Sequence, residues 1–357
     1  MSHPTESQAS GEPVRKRPRT RTTSHSSTLP AFSHDGEFWY DDGNVILVAQ
    51  DVGFRVYKGW LSAQSEIFRD MFNLPQPTPS TSQDDVFDGC PIVHVTDTVA
   101  EIRSLLAVLF SGRQCVYIRR VALKFDDIAN CVRLAHKYGI QDLLEDSLEE
   151  LKRYFPESFD AWDCRLKCND PADAIVAVNL ARLTNTESIL PAALYSCCQL
   201  DGDDILEGRV RGDGVIETLS SEDLARCFDG KAKLCTRHMR HSFESIGALD
   251  NPHCKMADDH CRVAILKLQS FILRTSLECG DADVLGPWDG FIKAQDPKVK
   301  PRPAWPICSS CITALRKREK IARIKVWSEL PELLDLDEDD EEEGSGAEEE
   351  GNEGEEN

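Results

Sequence analysis

The chain has 357 residues, which is enough for two domains or for one domain with a long extension. Its formal net charge is −21, of which −14 lies in residues 335–357, whereas the first 30 residues carry +3 and the residues between carry −10. A nucleic acid would repel so acidic a chain, so the composition argues against specific nucleic-acid binding.

The sequence contains no uninterrupted apolar run of 18 residues and no apolar segment near residue 1. We therefore expect no membrane span and no secretory signal. An intracellular protein of the nucleus or cytoplasm keeps its thiols reduced, so the 14 cysteines predict buried or metal-bound thiols rather than disulfides.

Residues 1–35 are rich in Ser, Thr, Pro and charge, and we expect a disordered basic arm because few apolar side chains offset the entropy of ordering. A flexible basic cluster is typical of a nuclear import signal. A solvated charged tail is an equal alternative. The cluster consists of Arg15, Lys16, Arg17, Arg19 and Arg21.

Two β-prone runs follow, Val45–Ala49 and Gly53–Tyr57, and the polar break between them predicts a hairpin. Ser65 is a good N-cap for the next helix. The apolar residues of that helix predict one buried stripe, formed by Ile67, Phe68, Met71 and Phe72.

Further along, "NLPQPTPSTSQDD" (73–85) predicts a loop and "PIVHV" (91–95) a strand. Three amphipathic helices then follow, the second closed by Gly139 as a C′ glycine. Their apolar stripes are Ile102, Leu105, Leu106 and Leu109, then Ile128, Cys131, Val132 and Ala135, then Leu144, Leu148 and Leu151. Strands first and helices after them predict an α+β domain with helices on a small sheet.

The pattern "VILVAQDVGFRVYKGWLSAQSEIFRDMF" resembles the opening of a BTB/POZ domain, and "VHVTD", "IRSLLAVLFSG" and "IANCVRLAHKYGIQDLLEDSLEEL" resemble its later elements. The resemblance covers residues 36–155 and is most similar to the fungal group of such proteins. It implies a small sheet flanked by helices, no active site, and binding of other proteins or of a second copy. The matching positions are Val45, Leu47, Phe54, Val56, Lys58, Leu61, Ser65, Phe68, Met71 and Phe72.

Two positions depart from the family pattern. Asn44 replaces a usual Asp, and Tyr57 replaces a usual His. In dimeric members the Asp approaches the basic residue, here Lys58, near the dimer interface. Without the Asp a buried Lys58 would be an unpaired charge, which argues against self-association there and predicts that Lys58 extends to solvent. Tyr57 and Lys58 are the candidate partner-binding residues.

Residues 156–334 predict a mostly helical region with loops at 200–214 and 280–306. The stretches "DPADAIVAVNLARL" and "TESILPAALYSC" predict a helix pair that packs behind the BTB-like module. On the second of these helices, Cys197 and Cys198 are expected to be small core residues. Residues 335–357 predict a disordered acidic tail, solvated or attractive to basic partners.

Two cysteine pairs are candidates for one structural zinc site: Cys254 with Cys261, and Cys308 with Cys311. The second pair has the C-x-x-C spacing with which two thiolates hold one zinc ion from a tight turn. The alternatives are free buried thiols and a redox dithiol at the start of a helix. Reserve ligands are Cys235, His238, His253 and His260.

The sequence contains no phosphate-binding glycine loop and no nucleophile or metalloprotease motif. The predicted function is therefore a non-enzymatic interaction module, an adaptor that recruits substrates to a cullin-type ubiquitin ligase. The alternative is a nuclear regulator of transcription or chromatin that binds a corepressor. A thiol redox protein acting through Cys308 and Cys311 is the most distant alternative.

Overall fold

The computed structural model describes residues 32–73, 86–111, 123–247, 249–256, 259–280, 282–298 and 303–336. The predicted basic cluster, most of the predicted loop at 73–85 and nearly all of the acidic tail lie outside these residues. Within the described part of the chain, every helix is too short or too polar to span a lipid bilayer.

The strands of the N-terminal part are β1 (Ser33–Trp39), β2 (Val45–Ala49), β3 (Val52–Val56), β4 (Val86–Phe87) and β5 (Cys90–Val95). They form a five-stranded mixed sheet at its centre, in the order β1-β3-β2-β5-β4. The predicted hairpin is confirmed: β2 and β3 pair antiparallel, with Val45 opposite Val56 and Ala49 opposite Val52. β5 pairs parallel to β2 and contains the predicted strand 91–95.

The first strand corrects the predicted end of the disordered arm at residue 35. β1 begins at Ser33 and pairs parallel to β3, and the preceding Phe32 is buried. Aromatic rings hold this edge together, since His34 stacks on Trp39 with ring centroids 3.5 Å apart. The polar sequence of β1 gives no strand signal, because this strand is stabilised by pairing with β3 and by ring packing and not by alternating apolar residues.

In the described part of the N-terminal module, five helices enclose its core against one face of the sheet. The α+β class predicted for this module is confirmed. The four predicted residues of α3 (Val99–Ser111), from Ile102 to Leu109, are all buried. The helices are α1 (Lys58–Gln64), α2 (Glu66–Asn73), α3 (Val99–Ser111), α4 (Phe125–Lys137) and α5 (Gln141–Lys152).

The predicted buried stripe of α2 is only half right. Phe68 and Phe72 are buried and stack on each other, but Ile67 is 44% exposed and Met71 is half-buried. Residues four apart share a helix face, whereas the preceding residue is rotated by about 100°. A helix this short therefore buries one pair and leaves Ile67 outside.

On α5 the buried face is also displaced from the predicted one. Leu143, Ser147 and Leu151 are buried, and the predicted Leu144 and Leu148 are only half-buried. Ser147 can replace an apolar residue because its hydroxyl donates a hydrogen bond to the Leu143 carbonyl at 2.7 Å. The spacing of apolar residues cannot predict the burial of a polar side chain that is hydrogen-bonded to its own helix.

Gly139 ends α4 as predicted. It adopts φ +62°, a left-handed conformation that glycine enters without steric strain. The N–H of Ile140 donates to the carbonyl of Ala135 at 2.9 Å, which is the long bond of a Schellman motif.

Ser65 caps α2 as predicted, and its hydroxyl also fastens α2 to the end of α4. The oxygen accepts a hydrogen bond from the N–H of Phe68 at 3.0 Å and donates one to the carbonyl of Tyr138 at 2.6 Å. Replacing Ser65 with Ala is expected to lower the free energy of unfolding by about 1–2 kcal/mol. Urea denaturation would measure this, with half-buried Ser62→Ala expected to change stability by less than about 0.5 kcal/mol. Equal effects of the two substitutions would contradict the assigned role.

The C-terminal part is mostly helical, as predicted, and its described residues include a two-stranded hairpin. The predicted loops at 200–214 and 280–306 are partly wrong, since α9 (Gly202–Glu207) and β6 (Arg209–Val210) lie in the first and α12 (Asp289–Lys293) in the second. The helices are α6 (Phe159–Asp163), α7 (Asp173–Leu183), α8 (Leu190–Cys197), α9 (Gly202–Glu207), α10 (Ser221–Ile246), α11 (His260–Cys279), α12 (Asp289–Lys293), α13 (Ser309–Ser328) and α14 (Leu330–Leu333). The hairpin strands are β6 (Arg209–Val210) and β7 (Ile216–Glu217).

Helix α4 belongs to two hydrophobic cores at once. Cys131 and Leu134 face the core of the N-terminal module, whereas Ile128 and Val132 pack into the larger core built by α7 and α8. The predicted helix pair therefore does pack behind the N-terminal module. Because α4 is apolar on both faces, the two parts share a structural element.

Charged side chains of the β6–β7 hairpin reinforce this junction. Arg211 donates from Nη2 to Glu101 Oε1 on α3 at 2.9 Å, and Glu217 accepts from Arg133 on α4. Arg209 Nη1 lies 2.7 Å from Asp126 Oδ1, also on α4. The hairpin thus connects α3 and α4 to the C-terminal helices through side chains that are largely buried.

Candidate functional site

The predicted partner-binding residue Lys58 is used within the chain and does not simply extend to solvent, which corrects the prediction. Its Nζ donates to the carbonyl of Phe72 at 3.0 Å and lies 5.7 Å from the centre of the Phe72 ring. A lysine ammonium group that lies beside the last turn of a helix stabilises the free carbonyls there. Lys58 therefore caps the end of α2.

Asn44, the departure from the family pattern, also has an internal partner. Its Oδ1 accepts a hydrogen bond from the backbone N–H of Lys58 at 2.7 Å, at the first residue of α1. An amide oxygen performs this capping task without a charge. The position therefore serves the start of α1, and its neutral side chain presents no carboxylate to a second copy.

Tyr57 lies on a cluster of half-exposed rings. Its hydroxyl donates to Asp42 Oδ1 at 2.6 Å, and this bond to a carboxylate raises the pKa of Tyr57. Its ring stacks on Tyr40 at 5.3 Å and lies 6.2 Å from Phe110. Trp60, which is 46% exposed, lies 6.5 Å from Phe110. We use the name aromatic surface for the four residues Tyr40, Tyr57, Trp60 and Phe110.

The sequence pointed to Tyr57 but missed the other three members of the aromatic surface. Tyr40 precedes β2, Trp60 lies on α1 and Phe110 lies at the end of α3. Apolar residues at these places are compatible with an ordinary core. Only their meeting on one side of the module distinguishes them from core residues.

The second candidate site consists of the four predicted cysteines. One sulfur from each of Cys254, Cys261, Cys308 and Cys311 lies within 4.8 Å of all the others. The Sγ atoms of Cys254 and Cys308 are 4.0 Å apart. Three of the cysteines are buried and Cys254 is exposed, so the cluster lies at the edge of a small core.

Each cysteine is positioned by the start of a helix or by a turn before one. Cys261 is the second residue of α11, Cys308 is the N-cap of α13 and Cys311 lies in its first turn. Cys254 lies in the segment between α10 and α11, where its N–H donates to the carbonyl of Asn251 at 3.0 Å. The predicted C-x-x-C pair therefore occupies one helix start, and the other two cysteines reach it from separate segments.

Hydrogen-bond donors of Asn251, Lys255 and Cys308 face the sulfurs. The N–H of Lys255 points at Cys308 Sγ at 3.5 Å, and the N–H of Cys308 points at Cys261 Sγ at 3.3 Å. The side-chain amide of Asn251 donates to Cys311 Sγ at 3.3 Å. Sequence spacing had not identified Asn251, whose role depends on a contact sixty residues along the chain.

The thiols differ in acidity. Burial would raise the pKa of Cys308, but hydrogen bonds from the N–H groups of Lys255 and Cys311 and from the neighbouring thiols of Cys311 and Cys261 outweigh it and lower the pKa to about 7. Burial raises the pKa of Cys261 to about 11 and raises the pKa of Cys311. Adjacent thiolates repel one another, so a cation is needed before several of these thiols can ionise together at neutral pH.

The reserve ligands lie outside this group. Cys235 donates to the carbonyl of Gly280, and His238 contacts Ser276 with Nε2 3.2 Å from Oγ. His253 and His260 are exposed. Among the described residues, the four predicted cysteines form the one cluster of metal-ligand type. Cys197 and Cys198 are buried in the larger core, as predicted.

Comparison with known families identifies the N-terminal module. Residues 40–154 match the family model of the BTB/POZ domain. No curated protein and no solved structure matches the chain. The chain thus carries a BTB/POZ domain, a module for protein–protein interaction, followed by a helical region. A fungal origin stays a prediction.

Proposed function

We propose that this protein is a non-enzymatic adaptor whose BTB/POZ domain binds another protein through the aromatic surface. The observation that carries the proposal is the partial exposure of four neighbouring aromatic rings, with Trp60 the most exposed. Tryptophan and tyrosine contribute most where protein surfaces meet, because they bury large area and lose little side-chain entropy.

The contacts among the rings support a binding role. Tyr57 is held by the Asp42 carboxylate and by stacking on Tyr40, so its ring is fixed before any partner arrives. Prior ordering reduces the entropy lost on binding. Trp60, at the margin of this group, supplies an apolar side chain that a partner pocket can enclose.

The partner we propose is the cullin subunit of a ubiquitin ligase, with the C-terminal helical region available to hold a substrate. In dimeric BTB domains, the residues at the positions of Lys58 and Asn44 lie near the dimer interface. Here both residues are already hydrogen-bonded within the chain. This internal pairing favours a different protein over a second copy as the occupant of the aromatic surface.

Binding of a purified cullin amino-terminal domain tests the proposal. Trp60→Ser is expected to weaken this binding by about 30-fold or more, since an aromatic side chain that a partner pocket encloses contributes about 2 kcal/mol or more. Isothermal titration calorimetry measures the affinity, and thermal unfolding should be nearly unchanged because the side chain is half-exposed. The matched control is Phe228→Ser on α10, an aromatic residue 49% exposed outside the BTB/POZ domain, which should leave the affinity unchanged.

Each outcome has a distinct meaning. Unchanged binding by Trp60→Ser would exclude the aromatic surface as the docking site. Failure of the unmodified protein to bind any cullin would exclude the ligase assignment. Dimerisation of the unmodified protein that Trp60→Ser abolishes would assign the surface to a second copy.

A nuclear regulator is the second candidate function. It rests on the five basic residues between Arg15 and Arg21, which have the composition of an import signal. In this case the aromatic surface would bind a corepressor, and the acidic tail would attract basic chromatin proteins. Absence of cullin binding together with nuclear accumulation would favour this candidate.

A further inference from the structure

We propose that Cys254, Cys261, Cys308 and Cys311 bind one zinc ion as a closed structural site. The proposal rests on the mutual approach of four sulfurs within 4.8 Å. It is independent of what the BTB/POZ domain binds. It assigns a metal to the C-terminal region, to which the BTB/POZ match does not extend.

The sulfur spacing fits a tetrahedral thiolate site. Zn–S bonds of about 2.3 Å place the sulfurs of such a site about 3.8 Å apart. Cys254 and Cys308, at 4.0 Å, already have this spacing. The remaining pairs, at up to 4.8 Å, need to approach by about 1 Å at most.

The ligand type favours zinc. Four sulfur donors without a carboxylate exclude magnesium and calcium, which prefer oxygen, and leave zinc or an iron–sulfur cluster as the usual occupants. A cluster needs room for several iron and sulfide atoms between the cysteines, whereas sulfurs this close leave space for one ion. Four thiolates fill the coordination shell of zinc, so the site holds structure and leaves no position for a reacting water.

The surrounding donors suit charged sulfurs. The N–H groups of Lys255 and Cys308 and the amide of Asn251 point at three different cysteines. Such bonds orient metal-binding thiolates and offset their charge. Asn251 also accepts from the N–H of His253 at 3.0 Å, so one side chain fixes both the Cys254 turn and Cys311. We assign Asn251 as a positioning residue.

The site lies in a hydrophobic core that is smaller than the core built by α7 and α8. Cys261, Cys308 and Cys311 belong to a small core with Ile246 at the end of α10 and Trp288 before α12, separate from the large core of α7 and α8. A bound ion would join the start of α11, the start of α13 and the turn at Cys254. The folding of this end of the helical region therefore depends on the metal, while the BTB/POZ domain does not.

Metal analysis of the full-length protein, expressed with zinc in the medium, is the first test. We expect one zinc per chain and almost none in Cys308→Ser. Cobalt(II) added after zinc removal should give the intense visible spectrum of tetrahedral thiolate coordination. The control, Cys164→Ser, removes an exposed cysteine outside the cluster and should keep one zinc. Zinc-free unmodified protein, iron in place of zinc, or full zinc in Cys308→Ser would overturn the proposal.

A second variant covers the case in which Cys308→Ser fails to fold. Asn251→Ala keeps all four ligands and is expected to weaken zinc binding by about 10- to 100-fold, as loss of a supporting bond commonly does. Competition with a chromophoric chelator measures the affinity, with Thr313→Ala on the exposed side of α13 as the control. Equal zinc affinity in Asn251→Ala and the control would contradict the positioning role of Asn251. If the unmodified protein binds zinc too weakly to compete with the chelator, the proposed site itself is contradicted.

Discussion

A chain that ends at residue 155 is expected to aggregate or to lose cooperative folding, although it contains the whole BTB/POZ match. The reason is the shared helix α4. Ile128 and Val132 on α4, Leu151 on α5 and Phe155 just beyond it are buried against the C-terminal core. Truncation exposes all of them, together with Phe125. At about 1.5–3 kcal/mol for each large apolar side chain, the loss is on the order of 10 kcal/mol, comparable to the stability of a whole domain.

Size-exclusion chromatography and thermal unfolding monitored by circular dichroism test this expectation. The control is the same fragment with polar substitutions on the uncovered face, Ile128→Gln, Val132→Lys and Phe155→Glu. It should be more soluble than the unmodified fragment, because these side chains no longer face a core. A monomeric unmodified fragment that melts at the temperature of the full-length protein would show that the C-terminal part adds nothing to the stability of the domain.

Arg209→Met is expected to destabilise the full-length protein by about 3–5 kcal/mol at neutral pH, the usual effect of removing one partner of a buried ion pair. Arg209 is 8% exposed, and its Nε and Nη2 lie 3.0 and 2.9 Å from Oδ1 of Asp173, which is 1% exposed. Met retains much of the volume of Arg209 but leaves the Asp173 carboxylate buried without its cation. Urea denaturation of the two proteins measures the difference.

The pH dependence of this effect identifies its cause. Burial raises the pKa of Asp173 from 3.8 to about 6, although Arg209 opposes the shift. The folded state therefore binds this proton more tightly than the unfolded state, and its contribution to stability is present below pH 4 and is lost as pH rises to about 6. Without Arg209 the pKa of Asp173 rises further. The loss of stability caused by Arg209→Met should therefore be smallest at pH 4 and largest above pH 7.

Two further variants separate charge from packing. Adding Asp173→Asn to Arg209→Met should recover part of the lost stability at pH 7.5, because the buried carboxylate is removed. Arg153→Met, which breaks an exposed i,i+3 pair with Glu150, should cost less than about 1 kcal/mol. The same loss for Arg209→Met at pH 4 and pH 7.5, with no recovery in the double variant, would mean that the loss is one of packing and not of charge.

The sequence by itself determined the elements whose signals are local. The β-prone run Val45–Ala49 and the polar break after it specified the hairpin, and Ser65 and Gly139 marked helix ends through their own hydrogen bonding and backbone conformation. The same local rules missed β1 and the exposed face of α2. Strand pairing with β3 and the choice of the Phe68–Phe72 face depend on which surfaces those elements meet.

The candidate sites divide in the same way. The C-x-x-C spacing of Cys308 and Cys311 could be recognised in the sequence because both residues lie at the start of one helix. Cys254 and Cys261 join them across about fifty residues through the packing of α10, α11 and α13. The capping of α2 by Lys58 and the meeting of Trp60 with Phe110 also needed the tertiary structure. Local backbone preferences are set by neighbouring residues, whereas long-range contacts arise only when whole elements bury their apolar faces together.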